Sequence, residues 1–398
     1  MNVALQHFGG FSYEGRALAP LWWYMVFRFP TLPTTSTLVR RTNRLVRIAR
    51  QTAGLAWSFS ALPRLPASAR KKPRAVPARK PRHPPPAARA ALAGTPGCFT
   101  AGTFSYRRAE HGYKLYLPPA VAGVGPPMLV VMLHGCGQDP DDFAAGTRMN
   151  RLAARDNVAV LYPAQSAAAN RQRCWNWFAP INQQRGRGET AWIAALARAV
   201  ARGLAVPARQ VFVCGLSAGG AMAALLARLY PEQFAACGVH SGVAAGTALG
   251  AIGALGALRS GRRLAAPPAG RHVPTIAFHG DADNRVHPRH SEHVVDAALD
   301  ALLPRGGRPA RNDSGAIVRH GTSAQGGAYT QHIYVNGRGQ VLAERWQLHG
   351  AGHAWSGGSR RGSFTDPAGP DASGEMLRFF RQCSPATQAA RSAPATPP

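Results

Sequence analysis

The pattern of apolar and polar residues between about residues 98 and 383 alternates between two periods. Short apolar, β-branched runs predict buried strands, and stretches with apolar residues three or four positions apart predict helices between them. The strands are expected at 127–133, 158–162, 211–214, 235–240, 273–278, 331–335 and 342–348. The helices are expected at 141–156, at 189–202 and from 218 onwards. Strands that alternate with helices form a mostly parallel sheet with helices on both faces, so the predicted fold class is α/β.

Two segments depart from this alternation. Residues 104–117 alternate aromatic or aliphatic side chains with polar ones around His111 and Gly112, which predicts an antiparallel hairpin at a sheet edge. Residues 243–269 are small, glycine-rich and irregular. They form either a lid or cap over a site or a loose loop.

The chain has 398 residues and a formal net charge of +29, which at first suggests a polyanionic partner. Almost all of the positive charge is arginine in a sequence dominated by Ala, Gly, Pro and Arg, so compositional bias explains it better than a nucleic-acid surface. Residues 1–97 contain sixteen Lys and Arg and a single acid, Glu14. We predict a basic, Pro-rich and largely disordered N-terminal arm and linker over 1–97, a folded domain over 98–383 and a disordered tail over 384–398.

The N-terminal arm offers two interpretations. Residues 39–62 form either a basic helix that lies on an anionic membrane or granule surface, or a poorly ordered basic segment. Residues 63–96 form the Pro-rich linker. The first 20 residues lack the basic start and long apolar core of a secretory signal, and residues 18–29 are too short to span a bilayer.

Ser217 lies where the apolar strand at 211–214 turns directly into a helix, in the sequence Gly-Leu-Ser-Ala-Gly. Gly215 and Gly219 flank it at positions where a Cβ would collide with the crossing strand and helix, so the serine can occupy a strained elbow with an exposed hydroxyl. The elbow places the Ala218 N–H at a helix N-terminus, where it can donate to a developing negative charge. The pentapeptide alone also fits a turn with a solvated serine.

Further polar groups follow other strands, at the sheet edge where α/β proteins bind ligands. The backbone N–H of Cys136, in a glycine-flanked loop after the first central strand, is the candidate for a second oxyanion donor. Asp281 and Asp283 follow a later strand, and His349 and His353 follow the last one. The chain order is therefore Ser, then Asp, then His, which is the order of α/β-hydrolases.

Five spaced blocks resemble the poly(3-hydroxybutyrate) depolymerase family of esterases, which is related to feruloyl and acetylxylan esterases. They read Leu-His-Gly-Cys-Gly-Gln, Cys-Trp-Asn-Trp-Phe, Gly-Leu-Ser-Ala-Gly-Gly-Ala-Met, His-Gly-Asp-Ala-Asp-Asn-Arg-Val and Gly-Ala-Gly-His-Ala-Trp. The resemblance implies the α/β-hydrolase fold over the predicted domain. It implies Asp283 as the acid of the triad. Asp281 is the fallback for this role, and we expect backbone N–H groups of its own turn to donate hydrogen bonds to it. It also implies His353 rather than the strand-end His349 as the base, and Cys136 as an oxyanion donor.

An aromatic cluster contains Trp175 and Trp177 outside any clear helix or strand period. These tryptophans either line an apolar substrate cleft or hold a loop on the core.

Six cysteines leave the redox compartment open. The hypotheses are disulfides Cys136–Cys174 and Cys98–Cys383, with Cys214 and Cys237 as buried thiols in apolar strands. Disulfides would agree with the secreted, extracellular enzyme that the resemblance implies, whereas the N-terminal sequence favours a cytoplasmic protein.

These inferences predict a serine esterase that acts through an acyl-enzyme on polyhydroxyalkanoate or a similar hydroxyacyl or aryl ester. A peptidase or lactone hydrolase with the same triad is one alternative. An alternative of another class is a protein that binds a granule, a membrane or nucleic acid through its arm. No cofactor or metal is expected, because the helix with His287, His290, Glu292 and His293 does not have the spacing of a zinc helix.

Overall fold

The computed structural model of the chain describes residues 97–119, 125–262, 272–302 and 315–384. The predictions for the arm, for its contact with an anionic surface and for the tail beyond 384 lie outside these residues.

A ten-stranded sheet forms the centre of the described part of the chain. Its strands are β1 (Cys98–Tyr106), β2 (Ala109–Leu117), β3 (Met128–Leu133), β4 (Val158–Pro163), β5 (Val211–Leu216), β6 (Cys237–His240), β7 (Thr275–Gly280), β8 (Ala316–Thr322), β9 (Ala328–Val335) and β10 (Val341–Leu348). They lie in the order β1-β2-β4-β3-β5-β6-β7-β10-β9-β8. The central strands β4, β3, β5, β6, β7 and β10 run parallel, and antiparallel pairs close both edges. This confirms the mostly parallel sheet.

Helices cover both faces of this sheet. In the described ranges they are α1 (Pro140–Thr147), α2 (Met149–Arg155), α3 (Gly188–Gly203), α4 (Ala218–Leu229), α5 (Ala251–Ser260), α6 (His290–Leu302) and α7 (Ala372–Cys383). Helices α3, α4, α5 and α6 pack into one apolar core, and α1, α2 and α7 into another. Along β3, Leu129 and Val131 enter the first core while Val130 and Met132 enter the second, as the period of two requires. The continuous apolar run of β3 is thus covered on both sides.

The edge hairpin has its turn at Arg107 and Arg108, so the prediction of a turn around His111 and Gly112 is wrong. Tyr106 pairs with Ala109, and Arg107 adopts a left-handed φ of 56°. His111 lies inside β2, where its ring stacks on Trp192 at 4.2 Å between centroids. The packing of this ring on α3 thus outweighs the turn preference of the neighbouring glycine.

Four further segments differ from the sequence-based expectation. The helix expected at 141–156 is two helices, because Arg148 between them adopts a φ of 55°. The region 243–269 is not wholly irregular, since it contains α5. Strand β8 and helix α7 were not predicted. Within the described ranges, no helix combines the length and the apolar character that crossing a bilayer requires.

Candidate active site

Ser217 occupies a strained backbone position between β5 and α4. Its φ of 57° and ψ of −119° lie outside the regions that L-residues ordinarily adopt. A Cβ on Gly215 would lie 2.5 Å from the Gly219 backbone, and one on Gly219 would lie 2.1 Å from the Leu133 carbonyl oxygen. Only glycine fits at these two positions, so strand, elbow and helix can pack closely.

Replacing Gly219 with alanine is expected to lower the free energy of unfolding by more than about 3 kcal/mol, because the added methyl group collides with backbone that cannot move aside. Gly256→Ala is the matched control. A Cβ on Gly256 meets nothing within 4 Å, and alanine in a helix is about 0.5–1 kcal/mol more favourable than glycine. Urea unfolding of both variants measures the difference, and similar stabilities would contradict the packing argument.

Asp283 and His353 form a close pair at the carboxyl ends of β7 and β10. His353 Nδ1 lies 2.7 Å from Asp283 Oδ2, and both side chains are almost fully buried. The other carboxylate oxygen, Oδ1, accepts the N–H groups of Arg285 and Val286, each at 2.9 Å. His279 Nε2 lies 3.3 Å from Oδ2 and 2.9 Å from the Val286 carbonyl. The carboxylate is thus held at both oxygens.

The pKa of Asp283 follows from these contacts. Burial alone would raise it, but the hydrogen bonds from His279 and His353, the charge of His353 and the Val286 N–H outweigh burial and hold the pKa well below its usual range. The group is therefore ionised wherever the fold is intact near neutral pH.

A pH dependence of stability follows from the depressed pKa. An unfolded aspartate titrates near pH 3.9, so the contribution of ionised Asp283 is present above about pH 5 and is lost as the pH falls below the unfolded value. We expect the difference in unfolding free energy between the native chain and an Asp283→Asn variant to shrink from pH 6 to pH 3. Urea titrations at both pH values test this, and a constant difference would contradict it.

The loop that carries His353 crosses from β10 towards Ser217. Ala282 N–H donates to the Ala351 carbonyl at the end of β7, and Ser356 N–H donates to His240 Nε2 at the end of β6. The carbonyl of His240 in turn accepts the Ser217 N–H at 2.8 Å. His353 lies between these two contacts along the chain, so its loop passes the carboxyl ends of β7 and β6, next to the strand that carries the serine.

Asp281 makes a separate contact. Its Oδ2 lies 3.0 Å from His349 Nδ1, and its Oδ1 accepts the Gly350 N–H at 2.7 Å. The N–H that holds Asp281 therefore comes from the turn after β10, and the prediction that the N–H groups of its own turn hold it is wrong.

The loop after β3 is held by Gln138. This nearly fully buried side chain accepts the Gly135 N–H through Oε1 at 2.9 Å, and its Nε2 donates to Asp142 at 2.9 Å. Gly137 N–H donates to the Gln172 carbonyl, and a disulfide joins Cys136 to Cys174. The disulfide hypothesis for this pair agrees with the structure, and the loop with the Cys136 N–H is fixed to the aromatic segment.

The aromatic segment is anchored to the core. Trp175 is fully buried and its Nε1 donates to the His134 carbonyl at 3.1 Å, while Trp177 is nearly buried. Glu189 accepts two hydrogen bonds from Asn176, one from the backbone at 2.8 Å and one from the side chain at 2.6 Å. Both tryptophans belong to the apolar core and also border the cavity described next.

A cavity of about 200 Å³ opens beside the elbow. It is bordered by Ser217, Ala218 and the Cys136–Cys174 disulfide, and by residues of α5 such as Leu255 and Leu258. Among the described residues that border it, only Ser217 and Ser241 carry a hydroxyl. The other side chains are apolar, apart from the indole N–H groups of two tryptophans, or absent. The arrangement suits an apolar group held next to the serine.

The four cysteines outside the disulfide are free thiols. Cys98 is an exposed free thiol and Cys383 a buried one, so the second disulfide hypothesis is wrong. Cys214 and Cys237 are buried free thiols, as expected.

His290 Nε2 lies 2.9 Å from the Ala257 carbonyl. In the part of the chain that the structure describes, no group of three or more His, Cys, Asp or Glu could hold a metal ion.

Three residues of the site escaped sequence reasoning: His279, Gln138 and Glu189. The first two lie inside the blocks that carry the family resemblance, next to the residues they hold. Their roles depend on contacts with other loops, which a linear pattern does not contain.

The chain is similar to known esterases and depolymerases. Residues 111–305 match the family model described as esterase PHB depolymerase, a range that includes Ser217 and Asp283 and ends before His353. Feruloyl esterase B of Neurospora crassa is 29% identical over 240 residues, which cover 56% of this chain and 77% of that protein. Poly(3-hydroxyalkanoate) depolymerase C of Paucimonas lemoignei is 26% identical over 239 residues, which cover 56% of this chain and 54% of the depolymerase. The chain thus spans about half the length of the depolymerase.

A solved structure shares the fold. The acetyl xylan esterase from Aspergillus awamori superposes with a TM-score of 0.53 at 18% identity, over 71% of this chain and 99% of that one. The likeness confirms the predicted fold class.

Proposed function

Because residues 111–305 belong to the esterase PHB depolymerase family and the protein is thus a hydrolase of the serine type, we propose that it cleaves carboxylic esters through an acyl-enzyme on Ser217. The observation that carries this proposal is the strained Ser217 at the edge of an apolar cavity, with the Asp283–His353 pair on the adjoining loops. A serine needs such a base and an orienting acid, because a neutral hydroxyl is a weak nucleophile.

The proposed reaction uses both nitrogens of His353. Its Nδ1–H donates to Asp283, which leaves the Nε2 lone pair to take the proton of the Ser217 hydroxyl as Oγ attacks the ester carbonyl. The same proton then passes to the leaving alkoxide, and the C–O bond of the ester breaks. Water, deprotonated by His353 in the same way, attacks the acyl-serine and releases the acid, which regenerates the hydroxyl.

The N–H groups of Cys136 and Ala218 are the proposed oxyanion donors. Both residues border the cavity together with Ser217, and Ala218 is the first residue of α4, so its N–H belongs to the positive end of a helix dipole. Loss of one preorganised donor of this kind costs on the order of 10²- to 10³-fold in rate.

The substrates we propose are polyhydroxyalkanoate or similar hydroxyacyl or aryl esters. The apolar walls that Trp175, Trp177 and the α5 residues provide favour a hydrocarbon or aryl acyl group over a charged one. The names of the relatives, which include a feruloyl esterase, a poly(3-hydroxyalkanoate) depolymerase and a probable acetylxylan esterase, support an ester within this range.

A phosphonate probe followed by a substrate panel tests the proposal. Mass spectrometry of the full chain after reaction is expected to find the adduct on Ser217. The panel contains 4-nitrophenyl butyrate, a 3-hydroxybutyrate trimer, methyl ferulate, acetylated xylan, a lactone and a peptide amide. Faster turnover of one or more of the open-chain esters supports the proposal. Preference for the amide or the lactone would favour the peptidase or lactonase alternative, and an adduct elsewhere would contradict the proposed nucleophile.

An extracellular location is proposed with the disulfide as support, since such bonds persist in oxidising compartments.

The disulfide also yields a prediction on activity. Cys174→Ser keeps the Cys136 backbone donor but frees its loop, so we expect kcat for 4-nitrophenyl butyrate to fall about tenfold, which corresponds to about 1.4 kcal/mol, with a smaller change in KM. Cys98→Ser, at the exposed free thiol, is the control. Equal kcat values for both variants would show that the bond does not position the donor.

A further inference from the structure

Glu189, in the first turn of α3, holds the aromatic segment, residues 174–177, by three hydrogen bonds. Its Oε2 accepts the backbone N–H of Asn176 at 2.8 Å, and its Oε1 accepts the side-chain NH₂ groups of Asn176 at 2.6 Å and of Gln165 at 2.7 Å. The Nε2 atom of Gln165 also donates to the Cys174 carbonyl at 3.0 Å. The carboxylate is thus joined to the residues on both sides of Trp175.

Each of these three hydrogen bonds has a defined direction. The backbone N–H of Asn176 can only donate, and its assigned amide donates through Nδ2 as well. The Cys174 carbonyl can only accept, so Gln165 turns its NH₂ group, and not its oxygen, towards the carbonyl and the carboxylate. Every partner of Glu189 in this set is therefore a donor. A carboxylate with two accepting oxygens matches such a set, and an amide does not.

The negative charge of Glu189 is stabilised by N–H groups. Burial raises the pKa of Glu189, and the hydrogen bonds from Gln165 and Asn176 offset only part of this effect. Among the described residues, none of the groups that lower the pKa is a cation. The position of Glu189 at the start of α3 adds the positive end of the helix dipole. The hydrogen bonds to the aromatic segment are therefore the specific contacts that this charge makes.

The segment that Glu189 holds is covalently joined to the loop after β3. Cys174 forms the disulfide with Cys136, whose N–H is a proposed oxyanion donor, and both cysteines border the cavity with Ser217. A shift of Cys174 therefore passes through the disulfide to Cys136. Such a donor acts only when it lies about 2.7–3.1 Å from the position of the oxyanion, so a small shift of its loop lowers the rate.

We propose that Glu189 is a positioning residue that places the Cys136 N–H, acting through Cys174 and the disulfide. The inference rests on the proposed ester hydrolysis at Ser217. In Glu189→Gln an NH₂ group replaces one accepting oxygen, so at least one donor faces another donor whichever way the new amide turns. The segment then moves away from its native position, and the oxyanion donor moves with it.

A double-mutant cycle between Glu189→Gln and Cys174→Ser tests the proposal. The measured quantity is kcat of the full-length chain for 4-nitrophenyl butyrate at pH 8. We expect Glu189→Gln to lower kcat about tenfold in the native background, with a smaller change in KM. In the Cys174→Ser background the same change should lower kcat less than about threefold, because the link to Cys136 is already broken. Glu232→Gln is the matched control, since it changes an exposed carboxylate that pairs with Arg185, and it should keep the native kcat.

Equal falls of kcat in both backgrounds would show that Glu189 acts by a route other than the disulfide, which overturns the proposal. A native kcat in Glu189→Gln, together with a lower free energy of unfolding in urea, would overturn it as well, because the role of Glu189 would then be structural only. If the glutamine variant does not fold, Asn176→Ala replaces it in the cycle. This change removes one of the three hydrogen bonds, so a smaller fall with the same dependence on the disulfide is expected.

The native chain separates this inference from the function on which it rests. If it does not hydrolyse the ester, the proposed function fails and the inference with it. If it hydrolyses the ester and the cycle shows no coupling, only the role of Glu189 is overturned.

Discussion

Ser217→Ala is expected to lower kcat for 4-nitrophenyl butyrate by at least about 10⁴-fold. Alanine removes the only atom that can form the acyl-enzyme, while the elbow keeps its backbone because the flanking glycines remain. The residual rate then comes from binding and the oxyanion donors alone. Steady-state kinetics of the purified full-length chain measure the loss.

Two controls separate lost chemistry from lost structure. Thermal unfolding should place the Ser217→Ala variant within a few degrees of the native chain, since the change removes one hydroxyl from a partly exposed side chain. Labelling by the phosphonate probe should disappear in this variant and persist in Ser260→Ala. If the alanine variant keeps activity within tenfold of the native chain, the nucleophile lies elsewhere.

The elbow could be predicted from sequence because all its determinants are local. A β-branched strand, a serine between two spaced glycines and a helical pattern follow one another within twelve residues, and the structure contains the same order of elements. The parallel sheet was equally accessible, since β3 and β5 are continuous apolar runs whose residues are almost all buried. Local period and local sterics decide these features.

Features that depend on distant contacts were not accessible in the same way. The spacing of residues does not distinguish Asp281 from Asp283, and the choice rested on the resemblance to a family. The hairpin turn was misplaced because the stacking of His111 on Trp192, 81 positions away, fixes the register. The hydrogen bond between Gln138 and Asp142, and the approach of His279 to Asp283, depend on the folded paths of the loops.

Asp283→Asn is expected to lower kcat/KM by about 10³- to 10⁴-fold, whereas Asp281→Asn should change it less than about threefold. At position 283 two backbone N–H groups already donate to Oδ1, so an asparagine would keep its carbonyl oxygen there and turn its NH₂ group towards His353 Nδ1. That nitrogen must then accept, which puts the imidazole proton on Nε2. A ring with its proton on Nε2 cannot take the proton of Ser217.

Asp281→Asn serves as the matched control because it removes the same charge two residues away. Its carboxylate contacts His349 and the Gly350 N–H, both outside the proposed proton path, so the change should affect stability more than turnover. The distinction appears in kcat/KM for one ester at pH 7, with urea unfolding of both variants as the structural measure. A larger loss of kcat/KM in Asp281→Asn than in Asp283→Asn would assign the role of the acid to Asp281. Equal losses would indicate a general effect of negative charge at this sheet edge.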